Sequence, residues 1–417
     1  MAIVPNPHKT TGFLGWIDDR FPLTKLWKDH ISEYYAPKNF NWWYTYGSLA
    51  LLVLVNQLLS GIFLAMFYKP DAATAYDSVQ YIMRDVSWGY LIRYMHSTGA
   101  SFFFIVVYLH MFRGLVYGSS RKPRELIWLF GCLIFLCLMA EGFCGYVLPW
   151  GNMSYWGAQV IINLFSTIPF VGEDLSTWIR GDFSIADATL NRLFSLHVVA
   201  LPFVLVGLVI AHLMALHEVG SNNPDGIEIK KKKDPATGIP LDGVAFHPYY
   251  TVKDIYGVTI FLIVFFAVIF FAPDGSGYML EKANFTPANP LVTPEEITPA
   301  WYFGAFYAML RATPSFWGTQ IWGVIVMFGA VVVLFFLPWL DRSPVKSIRY
   351  KGPIFKLAVA GFVVAFVMLQ YLGMEPPNPT RTLFARIGTI YYLAFFLLMP
   401  WYSRVDTTKP EPERVTG

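Results

Sequence analysis

The chain has 417 residues, of which 55% are hydrophobic, 18% aromatic and only 14% charged. This composition excludes an ordinary soluble domain of this size and indicates a helical protein that crosses a membrane several times. The formal net charge is only +3, and we expect the run Lys230 to Lys233 to lie near anionic lipid and not to bind nucleic acid.

Residues 1 to 40 are polar, and Trp16, Phe21 and Trp27 are spaced as on a surface helix. We expect this segment to lie on the membrane and not to cross it. Eight later segments are apolar and long enough to span a bilayer. They are residues 41 to 68, 92 to 116, 127 to 148, 190 to 216, 252 to 272, 317 to 340, 354 to 373 and 384 to 402.

The predicted fold class is an all-α polytopic membrane protein with eight transmembrane helices, the first four of which form a bundle. The domains expected from this pattern are an interfacial segment (1–40), the four-helix bundle with an outer amphipathic segment (41–220), a cytoplasmic loop (221–250), the last four spans with an outer loop (251–403) and a cytoplasmic tail (404–417).

The basic residues alternate between the connections. Connections on one side of the predicted spans, together with both termini, contain 22 of the 31 Lys and Arg residues. Because positively charged loops stay on the cytoplasmic side, both termini are predicted to be cytoplasmic.

Four histidines occur at nearly matched spacing in two of the predicted spans. His96 and His110 are 14 residues apart in the second span, and His197 and His212 are 15 apart in the fourth. A step of 14 residues advances about 21 Å along a helix and returns to nearly the same face. Two such helices could ligate two stacked metal centres, one on each side of the membrane midplane. Haem iron with two axial imidazoles transfers electrons, whereas zinc prefers a compact tetrahedral set of ligands.

The extra residue between His197 and His212 would rotate one ring by about 100° on a regular helix. Pro202 lies between them, and a proline permits a kink or a local bulge that absorbs one residue. A straight helix at this point would weaken the proposal.

Glycines repeat the 14-residue spacing in the other two spans of the bundle. Gly47 and Gly61 lie in the first span, and Gly131 and Gly145 in the third. We interpret them as wall positions that leave room for a planar cofactor; the alternative is close helix packing, for which glycine is common in membranes.

Arg93 and Arg113 lie three residues from His96 and His110. They are expected to bind haem propionates, the alternative being arginines at helix ends that extend to the interface.

Four long peptides accompany these histidines. They are GYVLPWGNMSYWGAQVIINL from Gly145, LHEVGSNNPDG from Leu216, FHPYYTVKD from Phe246 and FTPANPLVTP from Phe285. Together with the histidines, these peptides resemble cytochrome b of the respiratory quinol to cytochrome c reductase, in its bacterial form. The resemblance covers nearly the whole chain.

The resemblance implies two b haems. It assigns His96 and His197 to the low-potential haem near the outer face, and His110 and His212 to the high-potential haem near the cytoplasmic face. It also implies quinone reduction at the inner face, where His217, Lys253 and Asp254 would contact quinone and relay protons, and it assigns Ser221 and Asn222 to cofactor binding. A polar network that only anchors the loop is the alternative for the first three.

For quinol oxidation at the outer face, the resemblance implies a second set of residues. These are Tyr146, Pro149, Trp150, Gly151, Ile161, Pro299, Trp301, Tyr302 and Tyr307. Flat aromatic rings and a proline-bearing backbone suit an apolar quinone head group, although without the resemblance such aromatic residues would indicate interfacial packing.

The chain departs from the family pattern at one position. Where the family has Pro-Glu-Trp-Tyr, this chain has Pro299, Ala300, Trp301 and Tyr302, so the carboxylate credited with receiving a quinol proton is absent. We expect Glu141 or Glu296 to replace it, the alternative being that both only pair with arginine or face water.

The resemblance implies a proton-translocating enzyme of the bacterial inner membrane. Its partners would be a Rieske-type iron–sulfur protein, a cytochrome c1 type subunit, quinone and lipid, and the complex would be a homodimer.

Two other functions are compatible with the residues alone. One is a transporter whose histidines relay protons, for which no inverted repeat is evident; the other is a haem-bearing membrane anchor with a single quinone pocket.

Overall fold

The computed structural model describes residues 12 to 416, and helices make up most of this part of the chain. Its α-helices are α1 Gly12–Asp18, α2 Leu23–Trp27, α3 Tyr46–Ala65, α4 Ala75–Arg84, α5 Gly89–Val116, α6 Glu125–Val147, α7 Asn152–Ser166, α8 Gly172–Arg180, α9 Asp187–Ser195, α10 Leu201–Val219, α11 Phe246–Phe271, α12 Gly304–Ala312, α13 Ile321–Phe335, α14 Leu337–Leu340, α15 Pro353–Met374, α16 Pro379–Leu397 and α17 Met399–Val405. Two short strands, β1 Tyr35–Pro37 and β2 Gly243–Ala245, pair in antiparallel orientation.

Six helices of the described residues are long and apolar enough to cross a membrane. They are Trp42–Ala65, Gly89–Val116, Glu125–Val147, Asp187–Val219, Phe246–Phe271 and Pro353–Met374. A seventh span is formed if α16 and α17, which meet at 62°, cross as one unit. These results confirm a helical membrane protein.

The remaining predicted span, residues 317 to 340, differs from the expectation. The apolar α13 contains only 15 residues, which at 1.5 Å per residue is about 22 Å, shorter than the hydrocarbon core. Pro338 lies near the start of the next short helix, α14. Because proline lacks a backbone donor and fixes its own φ angle, it favours a new first turn over continuation of a regular helix.

The N-terminal segment has the exposed apolar side chains expected of a helix on a membrane surface. In α1 and α2, Phe13, Trp16 and Trp27 are 75%, 55% and 53% exposed. The part of the predicted segment before residue 12 lies outside the described residues.

The predicted irregularity between His197 and His212 is confirmed. Residues Leu196–Ala200 form a π-helical turn between α9 and α10, closed by a hydrogen bond from the Leu201 N–H to the Leu196 carbonyl. Pro202 follows in the first turn of α10. A π-helical turn contains one residue more than an α-helical turn. His197 and His212 therefore face the same side of the helix, as two residues 14 apart would on a regular α-helix.

The four helices that contain the matched glycines and histidines pack in two pairs. The first pair is α3 with α5, and the second is α6 with α10. The later helices α12, α15 and α16 pack together around buried residues such as Met309, Leu369 and Tyr392.

A polar layer connects the loop after α10 with the segment before α15 and the C-terminal tail. The buried Asp225 accepts hydrogen bonds from Arg349, Tyr350 and Thr416, and Arg414 forms an ion pair with Asp242 at 2.8 Å. The predicted loop and tail therefore form one packed unit.

Glu228 joins two cations in this layer. Its carboxylate accepts hydrogen bonds from Arg124 at 2.6 and 2.9 Å and from Lys346 at 2.5 Å. Burial by itself would raise the pKa of Glu228, but the bonds from Arg124 and Lys346 lower it to about 2. Since the pKa is lower in the folded state than in the unfolded state, this group stabilises the fold above about pH 4.3, and the contribution is lost as the pH falls toward 2.

We expect Glu228→Gln to lower the stability of the loop by about 3 kcal/mol, because the buried Arg124 then lacks its anionic partner. Thermal unfolding of the purified protein, followed by tryptophan fluorescence, measures the change. The matched control is Glu413→Gln, which removes the ion pair between Glu413 and Lys232. The side chain of Glu413 is 93% exposed, and an ion pair this exposed contributes little to stability. Equal unfolding temperatures for both variants would contradict the proposed role of Glu228.

Candidate functional site

The four histidines form two pairs between α5 and the helix that contains the π-helical turn. The ring centroids of His96 and His197 are 6.0 Å apart, and those of His110 and His212 are 6.4 Å apart. Two imidazoles on opposite sides of one metal ion, each with a metal–nitrogen bond of about 2 Å, place their centroids about 6 Å apart. Both pairs therefore have the separation that two axial ligands require.

Each of these rings lies against one of the matched glycines. A Cβ atom built on Gly47, Gly61 or Gly131 would lie 3.3, 3.1 or 3.5 Å from the Cε1 atom of His110, His96 or His212, respectively, and one built on Gly145 would overlap the His197 ring. The glycines were expected to leave room for the flat face of a cofactor. Their nearest neighbours are instead the edges of the ligand rings.

Hydrogen bonds orient two of the rings. Nδ1 of His96 lies 2.9 Å from Ser60 Oγ, which itself donates to the Asn56 carbonyl. Nδ1 of His197 lies 3.1 Å from the carbonyl oxygen of Glu141. A proton on Nδ1 satisfies both contacts and leaves Nε2 free to bind a metal.

The arginines next to the histidines lie where a cofactor carboxylate would need them. Arg93 lines the same cavity as His96 and His197. Arg113 lies over the Tyr44 ring at 4.7 Å and donates to Ser119, while its buried Nε has no hydrogen-bond partner among the described residues. An unpaired buried guanidinium nitrogen suits an anionic group such as a propionate.

The cavity beside the first histidine pair extends toward part of the predicted quinol site. Tyr146, Pro149 and Tyr302 line it together with Ala300. The Tyr302 ring stacks on Phe104, with centroids 4.0 Å apart and planes at 7°. These three residues predicted for the quinol site, Tyr146, Pro149 and Tyr302, therefore lie around one largely apolar cavity.

The other residues predicted for the outer site lie outside this lining. They are Trp150, Gly151, Ile161, Pro299, Trp301 and Tyr307. The backbone at Trp150 and Gly151 pairs with residues 286 to 288, which joins the segment after α6 to the FTPANP peptide. Trp301 donates to Ser101 Oγ, and the Tyr307 hydroxyl donates to the carbonyl of Ile297.

The two carboxylates expected to replace the missing glutamate differ in their surroundings. Glu141 lines the same cavity, where an oxygen of its carboxylate lies 3.0 Å from Nδ1 of His197. Glu296 is half-buried outside the cavity lining. Sequence reasoning missed Glu281, whose carboxylate accepts a hydrogen bond from the Tyr146 hydroxyl at 2.9 Å. It lies only four residues before Phe285, so the FTPANP peptide was a signal that could have identified it.

The residues predicted for the inner site have separate partners. The His217 ring is 5.1 Å from that of Tyr34, Ser48 donates to Asp254 at 2.9 Å, and Lys253 donates to Tyr249 at 3.0 Å. The hydroxyl of Tyr34 also lies 3.3 Å from Ser221 Oγ. Tyr34, which precedes β1, was missed because its neighbours are distant in the chain.

Asn222 has an unsatisfied polar atom in the same region. Its amide nitrogen donates to the Tyr117 carbonyl and to Ser119 Oγ, whereas its oxygen is buried without a partner among the described residues. This oxygen can accept one further hydrogen bond.

Comparisons with known proteins agree with this geometry. The family model described as Cytochrome b/b6/petB matches residues 31–220, and that described as Cytochrome b(C-terminal)/b6/petD matches residues 287–393. The chain belongs to the cytochrome b family. The matches confirm the resemblance and support haem binding and an electron-transport role in a membrane.

Individual relatives extend over nearly the full chain. A cytochrome b of Allochromatium vinosum is 63% identical over 407 residues, covering 97% of this chain and 98% of the relative. A cytochrome b of Rhodospirillum rubrum is 48% identical, covering 99% and 98%. The solved structure titled "Hyperthermophilic respiratory Complex III" matches with a TM-score of 0.85 and 37% identity, covering 94% of this chain and 98% of that one.

The residues present fit the haem that the cytochrome b family implies. The imidazole separations, the glycines that admit the rings and the unpaired Arg113 Nε all agree with a planar, anionic iron porphyrin. The described residues contain no group of three or more His, Cys, Asp or Glu side chains that could hold a metal ion.

We expect Gly145→Ala to reduce haem binding between His96 and His197, because the added methyl group would overlap the His197 ring. Overpacking costs about 1–3 kcal/mol, which corresponds to a loss of roughly 5- to 150-fold in affinity. The haem content of the purified protein measures the effect.

The matched control is Gly207→Ala in α10, since a Cβ atom at Gly207 would have no neighbour within 4 Å. Full haem content in both variants would show that the contact between Gly145 and His197 does not limit binding.

Proposed function

We propose that this chain is the di-haem subunit of a quinol to cytochrome c oxidoreductase. Quinol would be oxidised at the outer face and quinone reduced at the inner face. The observation that carries the proposal is the presence of two imidazole pairs, with centroids 6.0 and 6.4 Å apart. His96 and His110 lie on the single helix α5, so the two pairs are about 21 Å apart along the axis of that helix.

Haem supplies reversible one-electron oxidation and reduction when it is bound between each pair. The chain's own residues position it: His96 and His197 at the outer level, His110 and His212 at the inner level. With both imidazoles of a pair bound to its iron, each haem would transfer electrons and would not bind substrate or oxygen. The two sites differ in their surroundings, since Ser60 contacts His96 whereas Arg113 lies 3.4 Å from Nδ1 of His110. Such differences support unequal reduction potentials.

The outer quinol would bind in the cavity lined by Tyr146, Pro149 and Tyr302. Aromatic and aliphatic walls favour an apolar head group and exclude water. The same cavity reaches His96 and His197, which supports electron transfer from quinol bound there to the outer haem.

The inner quinone would bind near His217, Lys253 and Asp254, the groups that can supply the two protons its reduction consumes. Tyr34 and Ser221 extend this polar set. The position of these residues next to the polar loop supports a connection to the cytoplasm.

The matching structure is titled as a respiratory Complex III, and a relative from Bradyrhizobium diazoefficiens is named cytochrome b/c1, of which this chain covers 56%. We therefore propose a Rieske-type iron–sulfur protein and a cytochrome c1 type subunit as partners in a homodimeric, proton-translocating complex. It would lie in a bacterial inner membrane, with eight spans, the first four forming the haem bundle, and both termini in the cytoplasm.

The experiment that tests this function uses His212→Leu in the purified complex. The inner haem loses an axial ligand, so electrons from quinol should still reduce the outer haem in a single turnover. Steady-state quinol to cytochrome c turnover should fall by more than tenfold, because the inner quinone no longer receives electrons. Stopped-flow absorbance measures both quantities.

The control is His247→Gln, which changes an exposed histidine that contacts Trp27 and lies outside both pairs. Undiminished steady-state turnover in His212→Leu would contradict an obligatory path through the inner haem. A wild-type complex that cannot oxidise quinol would contradict the function itself.

A further inference from the structure

Ala300 stands in the wall of the quinol cavity where the family has a carboxylate, and the carboxylate that remains in the lining, Glu141, lies 3.0 Å from Nδ1 of His197. Ala300 is 6% exposed and lines the cavity next to Tyr302. Oxidation of one hydroquinone to quinone releases two electrons and two protons, and neither a tyrosine nor a methyl group is a strong proton acceptor at neutral pH. Another group in or next to the cavity lining must therefore accept a proton from the hydroquinone.

Glu281 is a buried carboxylate that contacts this lining through Tyr146. It lies in the connection between α11 and α12 and is only 7% exposed. Its oxygen Oε2 accepts a hydrogen bond from the Tyr146 hydroxyl at 2.9 Å, and the preceding residue Leu280 itself lines the cavity. Glu281 is thus separated from the cavity by one tyrosine hydroxyl.

The second oxygen of this carboxylate is unused. Oε1 of Glu281 is buried and has no hydrogen-bond partner in the described part of the chain. No ion pair among residues 12 to 416 includes Glu281. A buried carboxylate without a cation is costly in a purely structural role, but its cost falls when it binds a proton.

We propose that Glu281 accepts one of the two protons of the bound quinol, through the hydroxyl of Tyr146, and releases it toward the outer surface. This inference rests on the proposed quinol oxidation. The iron–sulfur protein and the outer haem would each accept one of the two electrons. One proton passes to the Glu281 carboxylate, which becomes neutral, and the other leaves with the electron that enters the iron–sulfur protein.

The protonation equilibrium of Glu281 suits this role. Burial raises the pKa of its carboxyl group to about 7, although a backbone hydrogen bond and the bond from Tyr146 oppose the shift. A group with a pKa near the working pH both accepts and releases protons efficiently. The titratable groups that face it from the packed elements are Tyr146 and Tyr302.

The geometry favours Glu281 over the two carboxylates predicted from the sequence. Glu141 also lines the cavity, but its carboxylate lies 3.0 Å from Nδ1 of His197, so it is engaged with a proposed haem ligand. Glu296 lies outside the cavity lining. Glu281 alone among the three contacts a cavity-lining tyrosine by a hydrogen bond in the described structure.

The test measures quinol oxidation by the purified complex with Glu281→Gln and Glu281→Asp. We expect Gln to lower the maximal rate by roughly tenfold or more with little change in the KM for quinol, and Asp to retain part of the rate. The double variant Glu281→Gln with Ala300→Glu should regain activity, because it restores a carboxylate to the cavity wall. The control, Glu295→Gln, changes an exposed carboxylate and should have the wild-type rate.

The outcomes separate this inference from the proposed function. Haem content and potentials equal to those of the wild type show that each variant is assembled. If Glu281→Gln does not assemble, Tyr146→Phe carries the test, since it removes only the connecting hydroxyl and should give a similar loss. A wild-type rate in assembled Glu281→Gln, or in Tyr146→Phe, would overturn the inference while quinol oxidation itself stands. Absence of quinol oxidation in the wild type would instead overturn the proposed function.

Discussion

The close approach of each imidazole ring to a glycine on the neighbouring helix is the constraint on which the architecture depends. The four contacts hold α3 against α5 and α6 against α10 at two levels, and side chains at these positions would displace the rings. The π-helical turn at Leu196–Ala200 serves the same requirement. It corrects the rotation of α10, so that His197 and His212 both face their partners.

Polar groups near the spans lie around these four contacts between glycines and histidine rings. Ser60 and the Glu141 carbonyl orient two of the rings, whereas Arg113 keeps a free nitrogen for an anionic group. In the polar layer, the ion pair between Arg124 and Glu228 joins the start of α6 to the loop after α10. Burial makes an unsatisfied group costly, so the unpaired nitrogen of Arg113 suits a bound anionic group.

The sequence predicted the features that follow from spacing and hydrophobicity. The histidine pairs, the irregular turn near Pro202 and most of the spans were recoverable because helical geometry fixes which residues share a face. The break after α13 and the contacts of Tyr34 and Glu281 were not. They depend on loops that bring distant parts of the chain together, for which a single sequence contains no periodic signal.

The most direct measurement is the haem content of the purified subunit, combined with a potentiometric titration of the wild type and of His96→Ala. The account predicts two b haems per polypeptide that titrate in two one-electron steps, and a single remaining haem in His96→Ala. One haem per wild-type polypeptide, or two in the variant, would contradict paired axial imidazoles.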